Sequence, residues 1–475
     1  MKIISKCFLS YRFVIGIFYL ILVSNCTGKQ KEDETFPKDN STKAVLSVPD
    51  TLKPGRIYEK IEISNDPLNT FALYLPKLYD NNSNWPVVFF FDAGGNGALP
   101  IDKYYSLADS LGYIFVGSNV SKNGQNIDDA QTIWNTLKNA CLNNFSIDKN
   151  RILLAGFSGG ARTVCNLAAQ DNLVNGIIAN SAGAQQIDQL LGANKFYIGI
   201  CGKGDMNRAE MLNIEHYLMG TNVSHFLIEF LGIHEWASNE AMKQALFIAT
   251  LDTYKKNQSL LRPEILEEFI ENQQFKIEKL REENKLVDAY NEQVILLNGT
   301  KNLQSIDNIT MLDSIKSNPN FLQQKNEMMK INAFETENQQ MLYKMIISVP
   351  DTILWLEKIS NFQKKANNQT MDGQMYQRLL GYASLVCYSM SNRMLMAKNY
   401  DLANKLIECY RIADKKNSEV YYFKAIVEGN RKNKLAVLRN IKKSIQLGFT
   451  DLKRMKSQQE FDFLRTDTEF LGLIE

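Results

Sequence analysis

Between residues 47 and 254 short apolar runs alternate with amphipathic stretches. The runs fall at 71–76, 87–91, 113–116, 152–157, 176–180, 196–201 and 225–230, and most contain Val, Ile, Leu, Phe or Tyr. Continuous apolar runs of this length predict strands buried on both faces. Pro76 cannot donate to a ladder and is expected to close the first of them. Residues 102–111 and 128–143 read as helices between strands. Strands and helices in this rhythm predict an α/β fold, a mainly parallel sheet with helices on both faces.

After Tyr254 the strand signals fade. Pro263 suits the first turn of a helix, and Leu266, Ile270, Ile277, Leu280, Val287, Tyr290, Val294 and Leu297 follow at three, four or seven residues. That pattern predicts one apolar stripe along a long helix, expected to pack on the sheet-bearing half. Residues 299–351 give no readable pattern. From residue 377 a repeat sets in: Ser391, Ala403 and Ile407 recur as Ala425, Val437 and Ile441, an offset of 34 residues. The period resembles that of tetratricopeptide repeats. The resemblance implies an all-α domain over 377–475 that either offers a surface to a protein partner or supports the rest of the chain. The segment from Gln459 onward is expected to form a closing helix.

At the N-terminus Lys2 and Lys6 precede an apolar segment from about Tyr11 to Val23, followed by Ser24-Asn25-Cys26. The segment is short for a membrane span and reads as a secretory signal. It resembles a bacterial lipoprotein signal. The resemblance implies removal of residues 1–25, lipidation of Cys26 and a chain lipid-anchored outside the cytoplasm, at the outer membrane or cell surface. Residues 26–46 are too polar to bury a core and are expected to be a flexible tether. Within them the cluster at 30–34 is either a solvated charge run or similar to an acidic surface-export signal.

The 475 residues leave room for two or three domains, drawn here as 47–256, a helical linker region 257–376, and 377–475. A net charge of +2 shows no basic excess, so no nucleic-acid partner is expected. Of the seven cysteines, Cys141, Cys165, Cys201, Cys387 and Cys409 remain once the signal is removed and Cys26 is lipidated. Their odd number and spacing suit neither a disulfide framework nor a metal site, and no metal or cofactor is expected.

In such a sheet, function gathers in loops at the carboxyl ends of the strands. Four of those loops carry chemistry: Asp92-Ala93-Gly94-Gly95-Asn96-Gly97, Gly156-Phe157-Ser158-Gly159-Gly160, Gly202-Lys203-Gly204-Asp205, and Gly232-Ile233-His234-Glu235-Trp236. The second is a Gly-x-Ser-x-Gly turn after a strand, able to lift a serine above the sheet. Only three histidines are present; His216 lies in a helical stretch and His225 at a strand start, while His234 lies just past a strand. Asp205 also suits the N-cap of a following helix.

The order Ser158, Asp205, His234, each at a strand end, resembles the α/β-hydrolase superfamily. The likeness is greatest to compact secreted esterases related to polyhydroxybutyrate depolymerases, feruloyl esterases and dienelactone hydrolases, and it covers residues 47–254. It implies a carboxylesterase with Ser158 as nucleophile, His234 as base and Asp205 as acid. The oxyanion hole would draw on the N–H of Gly159 and one N–H of the first loop, at Gly95 or Asn96. Gly94-Gly95 stands where relatives often have His-Gly. The strands follow closely, with no long insertion to form a lid, which favours a bulky or polymer-attached ester substrate. A serine peptidase on the same scaffold, and an inactive hydrolase fold that binds through its helical repeats, are the alternatives.

Overall fold

The computed structural model describes residues 46–47, 52–64, 66–184, 187, 195–303, 309–348, 350–367 and 370–474. The signal segment, Cys26 and the tether as far as residue 45 lie outside the described residues. Two compact units are formed, divided after Asn332.

The first unit holds a nine-stranded sheet. Its strands are β1 (Leu46–Ser47), β2 (Ile57–Ile63), β3 (Asp66–Tyr74), β4 (Trp85–Phe91), β5 (Ile114–Ser118), β6 (Ile147–Phe157), β7 (Val174–Asn180), β8 (Phe196–Gly202) and β9 (His225–Phe230). They lie in the order β1-β2-β3-β5-β4-β6-β7-β8-β9. The pairings from β1 to β5 along this order are antiparallel, and those from β5 onward are parallel. This is the α/β-hydrolase fold. The sequence pattern did not foretell β2, whose IYEKIEI is half open to solvent and mixes charge with apolar residues.

Period-2 alternation sends successive side chains to opposite faces of the sheet. Val88 and Phe90 of β4 join one core with helices α1 (Ala98–Leu111) and α5 (Asn239–Lys256), while Val87, Phe89 and Phe91 join the other. The second core is covered by α2 (Ile127–Asn144), α3 (Gly159–Gln170) and α4 (Arg208–Leu218).

Within that second layer the buried Asp171 carboxylate accepts from Trp134 Nε1 at 2.8 Å, Lys138 Nζ at 2.5 Å and Leu173 N at 2.9 Å. Burial pulls this carboxyl upward, but the donors outweigh it and hold it below the usual carboxylate range. A depressed folded value gives stability that is present above the unfolded pKa, near 4, and is lost as pH falls through the folded one. Asp171→Asn is therefore expected to cost about 1–3 kcal/mol at neutral pH. Urea unfolding at pH 7 and pH 3 should show the gap to wild type narrowing in acid; a constant gap would contradict the assignment.

The apolar stripe read as one long helix belongs to two, α6 (Pro263–Glu282) and α7 (Leu286–Thr300). Asn284 adopts a left-handed φ of 55°, which ends α6 and resets the phase. Consequently Val287, Tyr290, Val294 and Leu297 are only half-buried, and Leu286, Ala289, Ile295 and Leu296 take the core positions. Both helices share a core with α1 and α5, so the compact unit reaches Asn332 and does not end at the expected boundary of 256. A buried network adds to the seam: Glu292 Oε2 accepts from Gln244 Nε2 at 2.7 Å and Gln273 Nε2 at 3.1 Å, and Lys276 pairs with its Oε1 at 2.5 Å. Helix α8 (Ile309–Ser317) follows, and α9 (Pro319–Ile347) contains the division between the units.

The second unit is helical: α10 (Thr352–Lys365), α11 (Met371–Met396), α12 (Tyr400–Ala413), α13 (Ser418–Asn430), α14 (Lys434–Gln446), α15 (Leu452–Ser457) and α16 (Thr468–Ile474). Helix α11 packs on α12 and α13 on α14. All six residues of the 34-residue register, from Ser391 to Ile441, are buried. The segment Gln459–Leu464 forms a 3-10 helix, and α16 closes the chain. Cys141, Cys165, Cys201, Cys387 and Cys409 are buried free thiols. Among the described residues no cluster of side chains has the composition to hold a metal ion.

Candidate active site

Strand β6 delivers the chain to Ser158 and α3 takes it away at once. Ser158 has φ 55° and ψ −117°, a conformation that L-residues avoid and that costs of order 1–3 kcal/mol. Flanking glycines make the turn possible. A Cβ on Gly156 would stand 2.3 Å from the Gly160 carbonyl oxygen, and one on Gly160 would stand 1.9 Å from that of Phe91. Both obstacles are backbone and cannot swing aside. Gly160→Ala is therefore expected to destabilise the protein by about 3 kcal/mol, as overpacking of a fixed site does. Thermal unfolding checks this, and a wild-type transition would show that the strand and helix can part.

Three strand ends bring the expected residues together. His234 Nε2 lies 2.9 Å from Ser158 Oγ, and His234 Nδ1 lies 2.9 Å from Asp205 Oδ1. An ionised carboxylate only accepts, so Nδ1 carries the proton and Nε2 is left to accept from the serine hydroxyl. Asp205 is fully buried, whereas about a quarter of the His234 side chain is exposed. Asp205 is not the cap of α4: that position belongs to Asn207, whose N–H donates to Asp205 Oδ1 at 2.8 Å. The other histidines lie apart from this chain of bonds. His216 sits in α4, and His225 stands beside Val223 O and Glu215.

The loop after β4 closes on itself. Asp92 Oδ2 accepts from Gly94 N at 2.8 Å and Asn96 N at 3.4 Å, and its carbonyl accepts from Gly95 N at 3.1 Å. The N–H groups of Gly95 and Asn96 are thus held within their own turn, and Gly97 N donates to Asn119 Oδ1 at 3.0 Å. The Gly159 N–H differs, because the first N–H groups of a helix have no intrahelical acceptor.

Sequence reasoning missed Asp92 as an organiser. Its Oδ1 accepts from Trp236 Nε1 at 2.9 Å, which ties the first loop to the loop bearing His234. Asn123 was also missed. A Cβ on Gly159 would fall 1.5 Å from its Oδ1, so this exposed amide lies directly against the residue after Ser158. Its N–H donates to Ala93 O at 2.9 Å. An asparagine in a polar loop gives no sequence signal of such a position.

Packing orients the base. The His234 ring lies 4.9 Å from that of Phe157, which in turn lies 5.6 Å from Trp236. Helix α1 holds the same loop through Tyr104 Oη to Ala237 O at 2.7 Å and Lys103 Nζ to Trp236 O at 3.1 Å. Burial, reinforced by the nearby Glu235, pushes the Tyr104 phenol far up, so it stays a donor at any ordinary pH. One turn after the nucleophile, Arg162 makes a bidentate pair with Glu210 at 2.6 and 2.8 Å and also donates to Gly183 O. Burial works against that guanidinium's charge, yet Glu210 outweighs it and the net shift is upward.

No protein-family model matches the sequence, and no curated protein does. Among solved structures the chain is similar to an esterase from the archaeon Pyrobaculum calidifontis, at 14% identity over 44% of this chain and 87% of that one, with a TM-score of 0.32. It is similar also to the S-formylglutathione hydrolase of Staphylococcus aureus, at 14% identity over 41% of this chain and 99% of that one, with a TM-score of 0.33. A third is the feruloyl esterase module from Clostridium thermocellum complexed with sinapinate, at 14% identity over 42% of this chain and 91% of that one, with a TM-score of 0.34.

Proposed function

We propose that the protein is a serine hydrolase that cleaves carboxylic esters through an acyl-enzyme on Ser158. The observation that carries the reading is the unbroken hydrogen-bonded chain from Ser158 Oγ through His234 to the buried Asp205. In this reading His234 Nε2 takes the hydroxyl proton as Ser158 Oγ attacks the acyl carbon, and Asp205 stabilises the imidazolium that forms. Collapse of the tetrahedral intermediate breaks the bond to the alcohol oxygen, which leaves with the proton from His234. Water then attacks the acyl-serine with His234 again as base, releasing the acid and restoring the serine.

The developing oxyanion needs donors in place. Gly159 N–H opens α3, so it adds the positive end of the helix dipole. The second donor is Asn96 N–H, which is held by the longest bond of its turn, 3.4 Å to Asp92 Oδ2, and is the easiest to redirect toward a charged oxygen. The same closed turn favours a second reading, a hydrolase fold that binds without turnover. A fluorophosphonate probe separates them. Covalent labelling at Ser158 together with hydrolysis of a short-chain aryl ester is the expected result, and folded protein that neither labels nor turns over would overturn the esterase reading. A panel of peptide substrates run alongside distinguishes a peptidase.

A further inference from the structure

Strand β7 ends in a corner to which the loops bearing Ser158, Asp205 and His234 are all tied. Asn180 pairs in register with Phe157 of β6, so its carbonyl reaches the elbow and accepts Ser158 N–H at 2.9 Å. Its side-chain Oδ1 accepts Ala237 N–H at 2.7 Å, while Nδ2 donates to Glu235 O at 3.3 Å and to Ser181 Oγ at 2.7 Å. The loop bearing His234 is therefore held by one acceptor and one donor of a single amide. Ser181 follows with φ 63°, and its N–H donates to Ile200 O at 2.8 Å. Its carbonyl accepts from Asn207 Nδ2 at 2.8 Å, and Asn207 N–H holds Asp205 Oδ1. Both Asn180 and Ser181 are fully buried.

We infer that the Asn180-Ser181 corner is the positioning node of the site, the element that keeps nucleophile, base and acid in register with one another. The inference rests on the serine hydrolase reading for its kinetic consequence. The chemistry suits the residue type: a carboxamide places an acceptor for Ala237 N–H and a donor to Glu235 O on two separate atoms of one short side chain. Aspartate keeps the acceptor and loses the donor, and alanine loses both. A backbone strained at Ser158 and again at Ser181 needs such over-determination to persist.

Asn180→Ala leaves the backbone bond to Ser158 N–H in place and removes both side-chain ties from Asn180 to the base loop, which Tyr104, Lys103 and Asp92 still hold from the other side. It is expected to lower kcat for an aryl ester about 10- to 100-fold with little change in KM, as misplacement of a catalytic group by about an ångström does. A readout that needs no turnover is the low-field proton resonance of His234 Nδ1–H in its bond to Asp205. That signal should broaden or vanish in Asn180→Ala and be partly retained in Asn180→Asp, which also recovers part of kcat. Folded Asn180→Ala with the wild-type resonance and wild-type kcat would overturn the node. If the alanine variant does not fold, Asn180→Asp is judged by the same two measurements. If wild type itself neither labels nor turns over, the hydrolase reading fails, while the resonance still decides whether the corner positions His234.

Discussion

Replacing Ser158 with alanine is expected to abolish fluorophosphonate labelling and to lower ester turnover by roughly four to six orders of magnitude. The size of the effect follows from the arrangement. Without Oγ, His234 Nε2 has nothing to deprotonate on the acyl-forming path, and only the oxyanion donors and substrate binding remain. Stability should respond differently. Ser158 sits at φ 55° and ψ −117°, so alanine inherits the same strain and its unfolding transition should match wild type. Glycine at this position relieves the strain, and Ser158→Gly is expected to be more stable than wild type by about 1 kcal/mol while equally inactive. Calorimetry of the two variants beside an activity assay checks both halves. Loss of activity accompanied by loss of fold in both would mean that the turn serves structure alone.

The parts of this picture that could be read from the chain are those where chemistry and position coincide. Strands β4, β7 and β8, and β6 from Ile152 onward, are largely buried on both faces, and their apolar runs announce them. Strand β2 is half solvated and carries Glu59, Lys60 and Glu62, so it has no such signature. Ser158, Asp205 and His234 each follow a readable strand, and the structure joins them in one chain of hydrogen bonds. The donors of the first loop were harder. Which way an N–H points within 92–97 depends on the positive φ of Gly95, 74°, and on where the Asp92 carboxylate turns, and neither is ordered by residue type alone.

Long-range matters were only partly within reach, for a related reason. The apolar stripe was enough to expect packing on the sheet-bearing half, and the structure sets Phe269 of α6 5.9 Å from Phe247 of α5. It did not say that α6 and α7 would complete one compact unit with the sheet, so the boundary was drawn at 256. The break at Asn284 is a single left-handed residue in a run of helix formers. The Asn180-Ser181 corner is the furthest case. Its meaning lies in backbone carbonyls and one amide that meet loops 22 and 57 residues away in sequence, at Ser158 and Ala237.

Asp205→Asn is expected to lower kcat by roughly three to four orders of magnitude with KM little changed. The carboxylate is fully buried and accepts both His234 Nδ1–H and Asn207 N–H on one oxygen, Oδ1. An amide oxygen at that place can keep both hydrogen bonds, so the geometry of the loop should survive. What it cannot keep is the charge. In the transition state the imidazole becomes imidazolium, and a negative charge 2.9 Å away on a fully buried carboxylate is worth far more than the same charge in solvent. The asparagine variant should therefore keep the wild-type thermal unfolding transition while its kcat falls, whereas a structural defect would lower both. An Asp205→Asn enzyme with wild-type kcat would remove Asp205 from the chemistry and leave it as a buried brace for the loop that begins α4.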